Sequence, residues 1–280
     1  MSKEMLGFSV IIPTYNRAYI LGEAINSVYS QREKVDLEVV VVDDGSADAT
    51  DKLVDNYHDR RIKYYRQPNR GPSAARNLGL EKATKEWVVY LDSDNTLYPN
   101  YFEVVSEVIH SYPAVFYAMV RALKTYELYE GGKLTKTKED RDNNLPQITV
   151  QDLLSQKVYF DVNGFFHKRD LVRGIRWDEG LRRLEDWEFF MQLAEKYPGN
   201  FGYIAQPLVD YRMRFGTDGI LSNTTYREWA EAYEYVFVKH KNDNVLRGQT
   251  WYPAKVEYYQ QKQIDFEAGK LPPPHLRLFV

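Results

Sequence analysis

Three of the four apolar runs in the first hundred residues stop at a cluster of polar side chains, two of them led by aspartates. Residues 8–12 (FSVII) run into Pro13-Thr14-Tyr15-Asn16-Arg17, residues 37–42 (LEVVVV) into Asp43-Asp44-Gly45-Ser46, and residues 87–91 (WVVYL) into Asp92-Ser93-Asp94-Asn95. The remaining run, 62–66, is shorter. Amphipathic segments separate them. Residues 18–30 place Ile20, Leu21, Ala24, Ile25 and Val28 on one stripe, and 48–57, 73–85 and 99–111 read as further helices, with Ser46 placed to cap the one at 48–57. Short apolar strands alternating with helices predict an α/β fold on a mostly parallel sheet covered on both faces. In such sheets ligands sit outside the carboxyl ends of the strands. The three polar clusters are therefore expected to converge on one edge.

The regularity fades after residue 111. Residues 115–126 read as a strand entering a hairpin and 131–144 (GGKLTKTKEDRDNN) as an exposed loop. Residues 158–167 read as a strand, 185–196 (EDWEFFMQLAEK) as an amphipathic helix, 201–212 as a strand and 215–225 as a mobile loop. Helices are expected over 225–241 and 250–268, then an extended tail through Pro272-Pro273-Pro274.

Composition removes several function classes. The chain of 280 residues has no cysteine, which excludes disulfides, thiolate zinc sites and cysteine nucleophiles. Lys and Arg total 37 against 40 Asp and Glu, a net charge of −3, which disfavours a nucleic-acid binder. No stretch approaches the ~18 apolar residues of a membrane span, and the first residues do not match a signal peptide. The expectation is a soluble, cytoplasmic protein.

Asp92 and Asp94 stand two apart; in an extended segment both carboxylates point one way, which suits a hard divalent cation that also takes phosphate oxygens. A plain turn is the competing reading. Asp44 can accept the N–H of a nucleobase or a ribose hydroxyl, and Tyr15 can stack on a base; a turn with a helix cap, and ordinary packing, are the alternatives. Residues 69–77 (NRGPSAARN) open a helix, whose N-terminus beside arginine favours an anion, or is only a loop with proline in the first turn. Glu185-Asp186 either complement a helix dipole or supply a general base.

These segments in this order, FSVIIPTYNR, VVVVDDGSADAT, NRGPSAARNLGL, VVYLDSDN and LEDWEF, resemble the family 2 glycosyltransferases of the GT-A fold over residues 8–212. The resemblance implies a Rossmann-like GT-A domain over 1–224, with a nucleotide-binding half (1–98) and an acceptor half (99–224), and a C-terminal helical extension (225–280). It implies an inverting transfer of one sugar from a nucleotide-sugar donor, UDP-linked by preference, to a hydroxyl of a glycan, lipid-linked sugar or peptide, with Mn²⁺ or Mg²⁺ as cofactor. Thr14 and Tyr15, flanked by Pro13, Asn16 and Arg17, would hold the base and Asp44 its N–H. Asp43 would be structural or touch the nucleoside. Arg76 and Asn77 would lie beside the donor. Asp94 would ligate the metal, with Asp92 beside it on the ribose or sugar and Ser93 between them. Asp186 would be the catalytic base, flanked by Glu185 and Trp187. Two positions depart from the family pattern. Asn95 replaces the last acid of DXDD. Arg214 stands where many relatives carry a histidine metal ligand; it would grip the diphosphate instead.

Thr14–Leu21 contains no glycine, which argues against a dinucleotide-binding dehydrogenase and against a sugar-nucleotide pyrophosphorylase. A catalytically degenerate domain serving as a binding or assembly module is the remaining alternative. The aromatic excess has an address: 24 of the 41 Tyr, Phe and Trp residues lie in 141–280. Rings there, Trp229 and Trp251 among them, are expected to face an acceptor cleft or a partner subunit, which would make a homodimer through the C-terminal helices. His167 is expected to be a buried structural histidine, and residues 239–241 are too short a basic cluster to assign a membrane surface beyond a peripheral contact.

Overall fold

The computed structural model describes residues 5–130, 132–140, 145–215, 224–247 and 251–271. Strands β1 (Gly7–Thr14), β2 (Asp36–Asp43), β3 (Ile62–Arg66) and β4 (Trp87–Tyr90) form a parallel block. They alternate with α1 (Ala18–Tyr29), α2 (Thr50–Asp55) and α3 (Pro72–Lys82). Strand β5 (Thr96–Leu97) and α4 (Tyr101–Ser111) lead to the long strand β6 (Tyr117–Glu130) and its hairpin partner β7 (Lys133–Asp140). After α5 (Val150–Leu154) come β8 (Phe166–Lys168), α6 (Glu185–Lys196), β9 (Phe201–Phe215), α7 (Tyr226–His240) and α8 (Trp251–Glu267). One sheet runs in the order β3-β2-β1-β4-β8-β6-β9-β5, with β7 on β6. The long β6–β9 ladder is also parallel, so parallel pairing carries most of the sheet.

Alternation along the strands divides the core. Val10, Ile12, Val39, Val41 and Val89 face a cluster capped by α1 and α4. Ile11, Val40, Val42, Val88 and Tyr90 face a second cluster that takes in α3, α6, α7 and Tyr252 of α8. Both sheet faces are thus covered, as near-continuous apolar strands require. Gly79 lets α3 press on β1: a Cβ there would lie 2.4 Å from Cγ2 of the fully buried Ile11.

Several expectations need correction. β1 continues through Pro13 instead of stopping there. Ile11 C=O accepts the Leu91 N–H, so the same edge of Pro13 faces β4 where that strand has ended, and no ladder bond is lost. Ser46 does not cap α2; its hydroxyl accepts the Asn16 N–H (2.8 Å), and Asp48 meets the first turn by accepting from Thr50 N–H (3.1 Å). Residues 133–140, expected in a loop, form β7: a polar sequence without alternation is held there by backbone pairing with β6. Of the run at 158–167 only Phe166 and His167 are strand, in β8, because Asp161 and Asn163 turn the chain and Gly164 adopts φ +73°. The predicted mobile loop at 215–225 falls mainly on residues 216–223, and that segment and the tail at 272–280 lie outside the described residues. No described helix is long and apolar enough to cross a membrane.

Candidate active site

The carboxyl ends of β1, β2 and β4 open on a cavity of about 940 Å³. Pro13, Thr14, Tyr15, Asn16, Arg17, Asp44, Arg76, Asp92, Ser93, Asp94, Glu185, Asp186, Trp187 and Arg214 all line it. Asp43 and Asn77 do not. Asp43 is buried and accepts from Ser46 N–H (2.7 Å) and the Tyr64 hydroxyl, so it shapes the turn. Asn77 staples a distant loop: its amide donates to Trp177 C=O (2.9 Å) and Glu179 (3.1 Å) and its oxygen accepts from Trp177 N–H (3.0 Å).

The β1 end supplies a donor-facing rim. Thr14 is buried, and its Oγ1 has no partner among the described residues, a polar atom available to a ligand. Asn16 takes φ 52°, a conformation asparagine tolerates, and its side chain accepts from Ala47 N–H (2.7 Å), tying the β1 loop to the β2 loop. Asp44 accepts from Gln67 (2.7 Å), Arg70 N–H (2.9 Å) and Gly71 N–H (2.7 Å). Asp44 thus fixes the loop that leads into α3. Three of the four lone-pair positions on that carboxylate are used, which leaves one to face the cavity.

Asp92-Ser93-Asp94 is a turn closed by Asn95 N–H to Asp92 C=O (3.1 Å), not the extended segment that alternation assumed. Both carboxylates nonetheless reach the cavity. Asp94 pairs with Arg17 at 2.5 Å. Burial raises the Asp94 pKa against the lowering by Arg17, so this carboxylate gains from any further cation. Asp92 pairs with Arg76 at 2.8 Å and is held by Asn163, which accepts from Asp92 N–H (2.9 Å) and donates to its carboxylate (3.2 Å). Asn95 fixes β9 by accepting from Arg212 N–H (2.9 Å). Arg214, further along β9, bonds Glu127 at 3.3 Å, and its charge acts on Asp94.

Arg76 joins the two acidic motifs. It is 4% exposed, with one guanidinium nitrogen on Asp92 and another 3.4 Å from Glu185, and its plane lies over the Trp177 ring at 4.7 Å. Asp186 follows Glu185 at the start of α6, where Leu184 (φ 63°) turns the chain inward. Burial, then the adjacent Glu185 charge, push the Asp186 pKa well above the usual carboxylate range, against the Trp187 N–H bond (2.7 Å) and Arg76.

No group of three or more metal-ligating His, Cys, Asp or Glu occurs among the described residues. Asp92 and Asp94 still fit a hard divalent ion, because Mg²⁺ is commonly held by one or two carboxylates together with substrate phosphate oxygens and water. Sequence reasoning missed Asp161, Asn163 and Lys124, which also line the cavity. Their signal was two polar residues interrupting an apolar run. His167 lies off the cavity, buried between Tyr90 OH (2.9 Å) and Lys168 C=O (2.8 Å), with burial pushing its pKa down to about 4. Trp251 packs on Trp187 at 5.9 Å, whereas Trp229 lines the cavity.

Paired carboxylates on a parallel-sheet edge, opposite the partly buried Asp186, sit on an α/β fold of the GT-A type. Residues 9–175 match the model of Glycosyl transferase family 2, and the chain belongs to that family. It is 38% identical over 284 residues to glycosyltransferase GlyA of Streptococcus pneumoniae, covering 94% of this chain and 38% of that protein. It is 29% identical over 239 residues to the minor teichoic acid biosynthesis protein GgaA of Bacillus subtilis, covering 82% and 52%. The chain thus spans about half or less of these relatives. Among solved structures, S. aureus TarS 1-349 with UDP-GlcNAc superposes at TM-score 0.66 and 20% identity over 93% of this chain and 73% of that one. The mannosyltransferase PcManGT of Pyrobaculum calidifontis with GDP-Man and Mn²⁺ superposes at 0.63 and 20% identity over 99% and 79%.

Proposed function

We propose that the chain is an inverting glycosyltransferase that moves a single sugar from a nucleotide-sugar, UDP-linked by preference, to an acceptor hydroxyl. The observation that carries this reading is Arg76, which bridges the paired carboxylates and the Glu185-Asp186 pair across one cavity. Thr14, Tyr15 and the remaining lone pair of Asp44 would receive the nucleoside; Arg17 and Arg214, on the same cavity wall, would meet its diphosphate. Asp94, with Asp92, would hold Mn²⁺ or Mg²⁺, and such an ion supplies Lewis-acid neutralisation of the leaving diphosphate.

Asp186 takes the proton of the acceptor hydroxyl as that oxygen bonds to the anomeric carbon and the carbon–phosphate oxygen bond breaks, its electron pair leaving with the nucleoside diphosphate. The raised pKa suits a base working near neutral pH. Direct displacement inverts the anomeric centre and needs no enzyme nucleophile. The relatives' names support this reading, as do the nucleotide-sugars bound by two structures of like fold.

The test is incubation with Mn²⁺ and a panel of UDP-, GDP- and TDP-sugars, followed by nucleoside diphosphate release. Release from one nucleotide class, lost in Asp94→Asn, is the expected result. Binding without any release would favour the degenerate binding module.

A further inference from the structure

The cavity has a wall that the donor reading leaves unexplained. Its lining includes Trp229 of α7 and Tyr258 and Tyr259 of α8. The two helices pack as a hairpin: Tyr252 OH bonds Tyr233 C=O (2.7 Å), and Arg227 near the start of α7 meets Glu267 at the end of α8 (3.1 Å). Trp229 stacks on Tyr259 (5.8 Å, 18°), and Tyr259 on Tyr233 (5.5 Å, 18°). Tyr233 is fully buried and bonded to Gln156, so the stack is anchored to the core. At the other end of α8, Trp251 and Tyr252 pack on Trp187, the neighbour of Asp186. The helices are therefore fixed against the element that presents the proposed base.

We propose that Trp229, Tyr258 and Tyr259 form the acceptor subsite and that its occupant is a sugar ring of a glycan; this rests on the transferase reading and names its acceptor. A pyranose has apolar C–H faces and a rim of hydroxyls. Ring faces would cover the former, and Arg182, Arg183 and Asp161, charged side chains that line the same cavity, would meet the latter. An acyl chain would have to desolvate those same charges. A peptide main chain presents N–H and C=O groups that ring faces leave unpaired.

The test uses the full chain, labelled with a fluorophore, with Mn²⁺ and UDP, on an oligosaccharide array, a peptide array and phosphatidylglycerol vesicles. UDP binding is titrated separately by calorimetry. Oligosaccharide binding by the wild type is expected, weakened about tenfold or more in Trp229→Ala and Tyr258→Ala and largely restored in Trp229→Phe, with UDP affinity constant. Tyr258 is 45% exposed, so its variant tests the wall even if Trp229→Ala fails to fold. Oligosaccharide binding unchanged in both alanine variants overturns the proposal, as does wild-type preference for peptides or vesicles. Loss of glycan in the variants by a chain that never binds UDP keeps the wall and removes the donor reading.

Discussion

Asp186→Asn should separate stability from activity. The carboxylate is held in a buried setting beside Glu185, which favours its protonated form. Below the unfolded-state pKa of about 4 both states are protonated and the residue costs nothing. As pH rises the unfolded chain releases the proton first, so the folded state is penalised. The penalty grows until pH passes the raised folded value, then stays constant. Each tenfold change in proton affinity is worth ~1.4 kcal/mol. Because Asp186 faces the cavity and keeps some hydration, ~1–3 kcal/mol is the expected scale. Asparagine preserves an oxygen for the Trp187 N–H while removing the charge. The variant should therefore melt about 2–10 °C above wild type at pH 8 and level with it at pH 4. Its transfer rate should fall by about 10²–10⁴. Thermal unfolding between pH 4 and 9, with nucleoside diphosphate release measured in parallel, tests both. A variant that turns over normally, or melts below wild type at pH 8, would refute the reasoning.

Other positions give independent checks. Arg76→Gln leaves Asp92 and Glu185 without their shared buried cation and should cost about 3–5 kcal/mol in urea unfolding; an unchanged midpoint would show that the bridge is not structural. Gly79→Ala forces a methyl into Ile11 and should lose about 1–3 kcal/mol, read as a lower melting temperature. His240 touches buried Glu188 (2.8 Å) and Asp243 (2.6 Å); burial would lower its pKa, but those bonds outweigh it and raise the value. Its stabilisation is full below about pH 6.5 and fades as pH rises through the raised folded value. His240→Gln should consequently lose more stability at pH 5.5 than at pH 9, and equal losses would exclude protonation as the cause.

The parallel half was legible because its strands are buried on both faces and announce themselves as unbroken Val and Ile runs. The ends of those strands could be named for the same reason. What stayed hidden depends on tertiary pairing. β7 carries no apolar alternation, so only its partner strand makes it a strand. Asn163 reaches Asp92 across 71 residues and Trp177 supports Arg76 from a loop, contacts with no local pattern. Asn77 and Asp43 were recognised as special, but their bonds run into the scaffold and not into the cavity. Sequence spacing marks a polar residue without telling which way it points.

The position of Arg76 also bears on how the protein assembles. Its two carboxylate partners lie 16 and 109 residues along the chain. The nearer contact can form early; the farther one must wait until α6 docks, after a long loop has closed. Until then Asp92 alone pairs with Arg76. Docking of α6 completes the cavity wall, and the Arg76–Glu185 contact registers one half of the chain on the other.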